Sequence, residues 1–567
     1  MKHRRTFGLA LVAVLTSTLL IPLAPADAAS SQPRRIVTGW IPYWQTADGT
    51  ASVEANADLF NEVSPFWHSA TGTTSISSQV SPSTRNATVA RLKAAGVRVI
   101  PSVTDGTSAR TMSGILRSNT TRTQHVNALV SLVMSNGYDG IDLDYEKFAF
   151  SDGSSTWAQT RPAWVSFVKQ LGSALHAKGK LLTVATPEMT ADAKGYWVYD
   201  WRGIGASIDR LRIMTYDYSV SAAGPIGPLP WVRNTIAYAV AVMPAWKVQV
   251  GVAAYGRDWV TSRTGTCPTT ADTARITRGT RDMQTFVRDN GIPTTWNSTY
   301  GERTFTYSRT FRGTTSTGAA ATCTLKRTAW YQDGSSAKVR AALVGQYKLA
   351  GISFWALGDE DPASWSALRT YAKTVSPSPT VAWIGAPRYA VAGSTISVSA
   401  RVWIAGIPTN GVTLSLMQRR PGRTTTWSVV AATSSGADGR AVFAVRPQRN
   451  VDYLVRASSG WDHTAGTSAV VRTNVSPAVA LDARVIAGRA GSVVTARGST
   501  LPVVRGQVVL REQLRAGRWV VVGSTRSDTA GRFRAPMGVG AGTYRFAVAA
   551  TSTNLAGFSL RLTVRAT

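Results

Sequence analysis

The sequence predicts an α/β fold, a (β/α)8 TIM barrel with a small inserted subdomain, followed by two all-β immunoglobulin-like sandwiches. Three observations carry this reading. Between residues 36 and 360, short β-branched and aromatic runs alternate with helix-compatible segments, as parallel βα units require. After Val375 a Pro/Ser linker, Ser376-Pro377-Ser378-Pro379-Thr380, gives way to short alternating strands. Those strands then repeat one another in two tandem blocks.

At the N-terminus, Lys2, His3, Arg4 and Arg5 precede an apolar run over 9–23 and then Ala26-Asp27-Ala28. This charged, apolar and small-residue order predicts a signal peptide over 1–28 and a secreted, extracellular protein. The run is shorter than the ~20 residues of a spanning helix and no later segment reaches that length, so no integral membrane span is expected. The 62 Lys and Arg against 31 Asp and Glu give a formal charge of +31, which favours polyanionic surroundings. No nucleic-acid-binding motif accompanies that charge, and export argues against a nucleic-acid partner. The two cysteines, Cys267 and Cys323, are expected to form one disulfide, since no His or Cys cluster stands near them to make a zinc site.

The barrel is expected over 34–375, with strands at 36–44, 62–69, 97–103, 137–146, 181–187, 211–218, 248–255 and 351–357. Eight strands in this span suit a closed barrel better than an open doubly wound sheet. The widest gap lies between the seventh and eighth, and it predicts a β-rich insertion over 260–335 whose ends the disulfide holds. The sandwiches are expected over 376–475 and 476–567. Gln418, Trp427, Gly439-Arg440 and Tyr453 in the first recur as Gln513, Trp519, Gly531-Arg532 and Tyr544 in the second. From Pro377 onward there are 23 arginines, no lysine and six acidic residues, a balance of +17. That charge reads either as an anchor to an anionic cell wall or as a coding preference for Arg on solvated faces.

The chemistry concentrates in Asp139-Gly140-Ile141-Asp142-Leu143-Asp144-Tyr145-Glu146, at the end of the fourth candidate strand. Alternation along a strand sends Asp142, Asp144 and Glu146 to one face. Three like charges inside a barrel are costly without shared protons and hydrogen bonds, and their repulsion raises the proton affinity of at least one, which a general acid near neutral pH requires. The interleaved apolar residues do not suit a calcium loop, so no metal and no cofactor is expected.

This stretch matches the catalytic signature of glycoside hydrolase family 18, the chitinases and related N-acetylglucosaminidases. The resemblance extends to Met214-Thr215-Tyr216-Asp217, to the segment from Gly251 to Gly256 and to Gly351-Ile352-Ser353-Phe354-Trp355. Ser64-Pro65-Phe66-Trp67 and residues 224–231 resemble the branch of spore peptidoglycan hydrolases. The resemblance implies substrate-assisted cleavage of β-1,4 bonds beside N-acetylglucosamine in a chitin-like or peptidoglycan polysaccharide. It implies Glu146 as acid and then base, Asp144 as the group that orients the acetamide, and Asp142 sharing a proton with Asp144. Tyr216 would donate to the acetamide oxygen, Asp217 would hold the sugar, and Trp355 would form the sugar-stacking floor. Tyr43, Trp44 and Trp67, at ends of the first two strands, read either as subsite platforms or as core aromatics. Glu188 carries no assigned role, and His68, His125 and His176 read as structural or surface residues. The competing class is a catalytically silent lectin or cell-wall adhesion module on the same barrel; such lectins resemble enzymes that have lost the acid, which Glu146 here retains.

Overall fold

A computed structural model describes residues 32–422 and 426–567. The signal-peptide segment, 1–28, lies outside the described residues. Two compact units are present, one ending at Ser376 and the other starting at Pro377.

The first unit is a closed barrel of eight parallel strands: β1 (Val37–Pro42), β2 (Glu62–Ala70), β3 (Ser102–Asp105), β4 (Gly140–Asp144), β5 (Leu181–Thr186), β6 (Arg210–Ile213), β7 (Val248–Ala253) and β8 (Gly351–Trp355). Each pairs with its sequence neighbours, and β1 closes the circle by pairing with β8 (Val37 beside Ile352) and with β2 (Trp40 beside Ser64). The strand expected over 97–103 is broken instead into Arg98–Val99 and β3. Pro101 lies in the gap and has no N–H to give a ladder. Helices cover the outside. The longest, Trp157–His176, buries Thr160, Trp164, Phe167, Val168, Leu171 and Leu175, a spacing of three and four that turns one face to the barrel. A fully buried Phe or Leu contributes ~1.5–3 kcal/mol, so this stripe holds the helix against the barrel at β5.

Between β7 and β8 the chain builds a five-stranded antiparallel sheet in which Tyr255–Gly265 lies between Ile276–Gly279 and Ala320–Tyr331. The insertion therefore starts immediately after β7. Cys267 and Cys323 form a disulfide with a Cα–Cα distance of 4.7 Å. It does not hold the ends of the insertion as expected. Gly256 pairs with Tyr331 next to the barrel, whereas Gly265 pairs with Cys323 at the far end of the same ladder, so the bridge clips the outer part of the sheet. Closing a loop of this length gives ~4 kcal/mol on chain-entropy grounds. We expect Cys267→Ser to speed amide exchange across residues 262–275 and 311–324 while leaving exchange in β4 unchanged; equal loosening of β4 would contradict a local clip.

The second unit contains two β-sandwiches. In the first, Ile396–Ile404 and Arg440–Val445 alternate buried and exposed residues, and Val398, Leu414, Leu416, Phe443 and Tyr453 meet in its core. In the second, Val509, Phe533, Met537, Phe546 and Leu562 do the same. The repeated residues occupy equal places. Gln418 pairs with Tyr453 and Gln513 with Tyr544, and the ladder slips at Leu416/Met417 in one copy and at Arg511/Glu512 in the other. Gly439 and Gly531 both have φ near +74°, where a side chain is disfavoured. Among the described residues no helix is long and apolar enough to cross a membrane.

Candidate active site

On β4, alternation turns Ile141, Leu143 and Tyr145 toward the helices and Asp142 and Asp144 toward the barrel axis. The back of the strand end is fixed by Tyr145, whose hydroxyl bonds His125 Nε2 at 2.7 Å, whose ring stacks on Phe167 at 6.0 Å, and whose carbonyl accepts from Tyr199 Oη at 2.8 Å. His68 is also structural: buried against Tyr138 Oη at 3.0 Å, it has its pKa pushed down to about 4, by burial first and by the nearby charge of Arg85.

Asp142 is fully enclosed and both its oxygens are engaged. Trp40 Nε1 (2.9 Å) and Ser102 Oγ (2.7 Å) donate to Oδ2, and Thr183 Oγ1 donates to Oδ1 at 2.5 Å. The counter-ion is Arg212 on β6, with Nη1 3.4 Å from Asp142 Oδ1. The guanidinium is itself wholly buried; it donates to Ser64 Oγ, to Gln249 Oε1 at 3.0 Å and to Thr38 Oγ1 at 3.4 Å, and lies 3.5 Å from Glu62 Oε1. Each of these partners belongs to a different barrel strand from Arg212 or projects from β2 across the axis, so one cation ties the barrel interior together. The sequence carried a signal for it: in Arg210-Leu211-Arg212-Ile213, Arg212 stands between two apolar residues that face the helices.

Asp144 is 7% exposed and its Oδ1 has no hydrogen-bond partner. Burial, then the negative charges of Glu146 and Asp142, push its carboxyl well above the usual carboxylate range, and its hydrogen bond to Glu146 pushes the same way. Glu146 lies past the strand end, at the head of the short helix Lys147–Phe150. Burial raises its pKa, the hydrogen bond with Asp144 pulls it back, and the charge of Asp217 raises it further. Asp144 therefore carries the proton in the resting pair and donates to Glu146. The sign of the stability effect follows. Above the unfolded-state pKa, the folded chain holds a proton that the unfolded chain has released, so stability falls as pH rises toward the raised folded value. We expect Asp144→Asn to gain stability relative to the parent by up to about 1.4 kcal/mol per pH unit across that window. Urea denaturation at several pH values measures it, and a pH-independent difference would contradict a buried neutral Asp144.

Glu146 and Phe150 border two cavities. One, of about 250 Å³, is lined by Phe66, Thr104, Asp105, Asp144 and Lys147; the other, of about 220 Å³, by Glu188, Tyr196, Met214, Tyr216 and Asp217. Of Asp142, Asp144 and Glu146, Glu146 alone reaches both. Tyr216 is 9% exposed and packs edge-on against Tyr255 at 6.3 Å, and burial holds its hydroxyl proton firmly. Gly251 on β7 makes room for it: a Cβ there would lie 2.9 Å from the Tyr216 ring and 2.6 Å from the Ile213 carbonyl. Asp217 is exposed, with φ +63°, and its Oδ1 accepts from Tyr255 Oη and lies 2.7 Å from Arg257 Nη2. The loop after it is pinned by the insertion, where buried Glu302 accepts from Ile226 N and Gly227 N, each at 2.7 Å. Glu188, pushed up by burial, joins this wall.

Trp355 is half-buried, and its ring meets Phe66 at 4.9 Å, Trp40 at 5.9 Å and Trp44 at 6.4 Å. Tyr43 and Trp44 are 43% and 58% exposed and touch each other edge-on. Trp67 is corrected: it is 1% exposed and belongs to the core. The register between β2 and β3 slips between Phe66 and His68, so Trp67 is an extra residue of that strand, and Phe66, in phase with Glu62 and Ser64, lines the cavity instead. Phe66, Trp40, Arg212, Tyr255 and Arg257 are the site residues that sequence reasoning missed. Among the described residues no group of three or more His, Cys, Asp or Glu side chains is placed to hold a metal ion.

The chain is similar to two Bacillus subtilis (strain 168) proteins. One is named uncharacterized glycosylase YvbX, 26% identical over 262 residues, which cover 45% of this chain and 68% of that protein. The other is named cortical fragment-lytic enzyme, 26% identical over 262 residues, covering 45% of this chain and 54% of that protein, little more than half its length. A solved chitinase from Chromobacterium violaceum ATCC 12472 is 25% identical with a TM-score of 0.49, over 59% of this chain and 98% of that one. The profile of glycosyl hydrolases family 18 matches residues 40–361, more than half of the chain, from Trp40 at the mouth of β1 to Asp361 beyond β8. With that span enclosing β4 and its three carboxyls, the chain belongs to glycosyl hydrolases family 18.

Proposed function

We propose that the protein is a secreted glycosidase that cuts the β-1,4 bond beside N-acetylglucosamine in chitin or peptidoglycan glycan, with retention and with the substrate's own acetamide as nucleophile. One observation carries this reading most: of Asp142, Asp144 and Glu146, Glu146 alone borders both cavities, while Asp142 is spent on Arg212 and burial pushes the Asp144 carboxyl well above the usual range. A retaining enzyme with a carboxylate nucleophile needs a second accessible, ionised carboxyl about 5 Å from the acid, a place these two do not fill.

In this mechanism the proton of Asp144 passes along their hydrogen bond to Glu146, which gives it to the leaving oxygen as the acetamide oxygen attacks the anomeric carbon and the C–O bond breaks. Asp144, left as a carboxylate, accepts from the acetamide N–H and steadies the positive charge that develops there. Tyr216 donates to the acetamide oxygen, Asp217, braced by Tyr255 and Arg257, holds sugar hydroxyls, and Trp355 supplies the floor. Tyr43, Trp44 and Phe66 extend the aromatic surface at the mouth. Water then attacks the same carbon, Glu146 takes its proton, and the acetamide is restored. The basic second unit would keep the enzyme on an anionic wall. Incubation with chitin oligomers, with intact or muramic-lactam peptidoglycan and with a high-mannose glycoprotein, followed by mass spectrometry of the released ends, tests the proposal. Products ending in N-acetylglucosamine from either of the first two are expected; products only from the glycoprotein, or none, would overturn it.

A further inference from the structure

At one end of the first sandwich, a cavity of about 510 Å³ is lined by Arg419, Arg420, Arg446 and Arg449 together with Gln418, Gln448, Asn450, Thr426 and Ser428, and by no acidic residue. The nearest carboxylate is Asp452, which is buried and shared: Arg419 Nε lies 3.5 Å from it and Arg472 Nε 2.7 Å. Arg419 is also stacked over Trp427 at 4.5 Å, and Arg446 Nε donates to Thr395 Oγ1 at 2.9 Å. Among the described residues Arg420 and Arg449 have neither a carboxylate nor a hydrogen-bond partner. Four arginines from two segments, Arg419-Arg420 and Arg446 with Arg449, thus line one space that holds no carboxylate.

A preference for Arg codons does not account for this. Four of the eleven lining residues are Arg, against 23 arginines in the whole stretch from Pro377 to Thr567. The second sandwich keeps the fold without the cluster. Between its own Gly-Arg and Tyr landmarks, the segment that answers to Arg446-Pro447-Gln448-Arg449-Asn450 is Gly538-Val539-Gly540-Ala541-Gly542, with no charged side chain. Arg446 and Arg449 are therefore not required by the architecture, and gathering like charges around one cavity is a cost that a bound anion relieves.

We propose that this cavity binds the phosphodiester groups of a polyol-phosphate polymer on a cell surface. Guanidinium forks bind phosphate oxygens in pairs, and a tetrahedral diester accepts from several directions at once, whereas a single planar carboxylate is served by one fork. The amides and hydroxyls of Gln418, Gln448, Asn450, Thr426 and Ser428 suit the hydroxyls of the polyol between phosphates. The site is independent of the glycosidase reading, because none of its residues lies in the barrel.

The test uses the full chain, its Arg446→Gln/Arg449→Gln variant and an Arg420→Gln variant, with a soluble oligo(glycerol phosphate) in calorimetry and with purified walls before and after hydrofluoric acid has removed their phosphodiester polymers. The parent is expected to lose wall retention on that treatment, and the double variant to bind the soluble oligomer roughly tenfold or more weakly, the scale of one charge-assisted contact, with Arg420→Gln weakened in the same direction. Turnover of a small soluble oligosaccharide and the thermal melt should match the parent, which separates lost binding from misfolding. Unchanged affinity in both variants would overturn the site. Retention that survives acid treatment would assign the anion to glycan carboxylates, and a variant that loses binding to duplex DNA but not to the oligomer would assign it to nucleic acid; either result overturns the proposal.

Discussion

Glu146→Gln is expected to lower turnover of N-acetylglucosamine oligomers by about 10²–10⁴-fold, the usual worth of a positioned acid and base, while oligosaccharide binding persists. The amide keeps the size and polarity of the carboxyl at the head of Lys147–Phe150, so the two cavities that meet there keep their walls. What it removes is the proton for the leaving oxygen and, in the second half-reaction, the base for water. The amide oxygen can still accept from Asp144 but cannot take up and pass on a proton, so the expected loss falls in kcat more than in KM. Single-turnover cleavage with calorimetric binding measures both. Cleavage at the parent rate would show that another group is the acid; equal loss of binding would show that Glu146 holds substrate rather than reacts with it.

The legible parts of this protein were those written as local periodicity or as short motifs. Seven of the barrel strands could be placed from runs such as 181–187 because a strand buried on both sides reads as a largely apolar stretch, whereas the third, expected over 97–103, runs from Ser102 to Asp105 beyond Pro101. Asp142 and Asp144 could be put on one face of β4 because alternation needs no partner, while Glu146 lies beyond the strand end. The sandwich repeat was visible through Gln418, Trp427, Gly439 and Tyr453 because each marks a fixed place in a ladder or turn. What could not be read depends on register or on residues that meet across the barrel. Trp67 was weighed as a platform and Phe66 passed over because the phase of β2, in which Glu62, Ser64 and Phe66 face the axis, is set by partners such as Arg212 that lie across the barrel. The cystine pair followed from there being two cysteines, but its place at the outer end of the sheet depends on the Gly265–Cys323 register. Arg212 was missed for a further reason: an arginine in a four-residue strand looks like a surface charge until strands β1, β2, β4 and β7 are known to surround it.

Arg212 carries the other large effect. It is the counter-ion of two buried carboxylates, Asp142 at 3.4 Å and Glu62 at 3.5 Å, and the two are not equally dependent on it. Glu62 is also reached by Arg210 at 3.4 Å and by Arg98 at 4.0 Å, both less buried, whereas Arg212 is the cation paired with Asp142 among the described residues. Arg212→Met preserves most of the volume and removes the charge and the donors to Ser64, Gln249 and Thr38. Leaving one partner of a buried pair uncompensated costs about 3–5 kcal/mol, so a large fall in the urea midpoint is expected, with turnover lost as the strand that carries Asp144 loosens. The cause can be separated from packing. Adding Asp142→Asn to Arg212→Met removes the orphaned charge and should recover most of the stability, while adding Glu62→Gln should recover less because Arg210 and Arg98 still serve that carboxylate. Arg212→Lys, which restores a charge without the fork, should fall between the parent and the methionine variant. If Asp142→Asn recovers nothing, the loss comes from packing and hydrogen bonds, and the ion pair is not what holds the floor of the site.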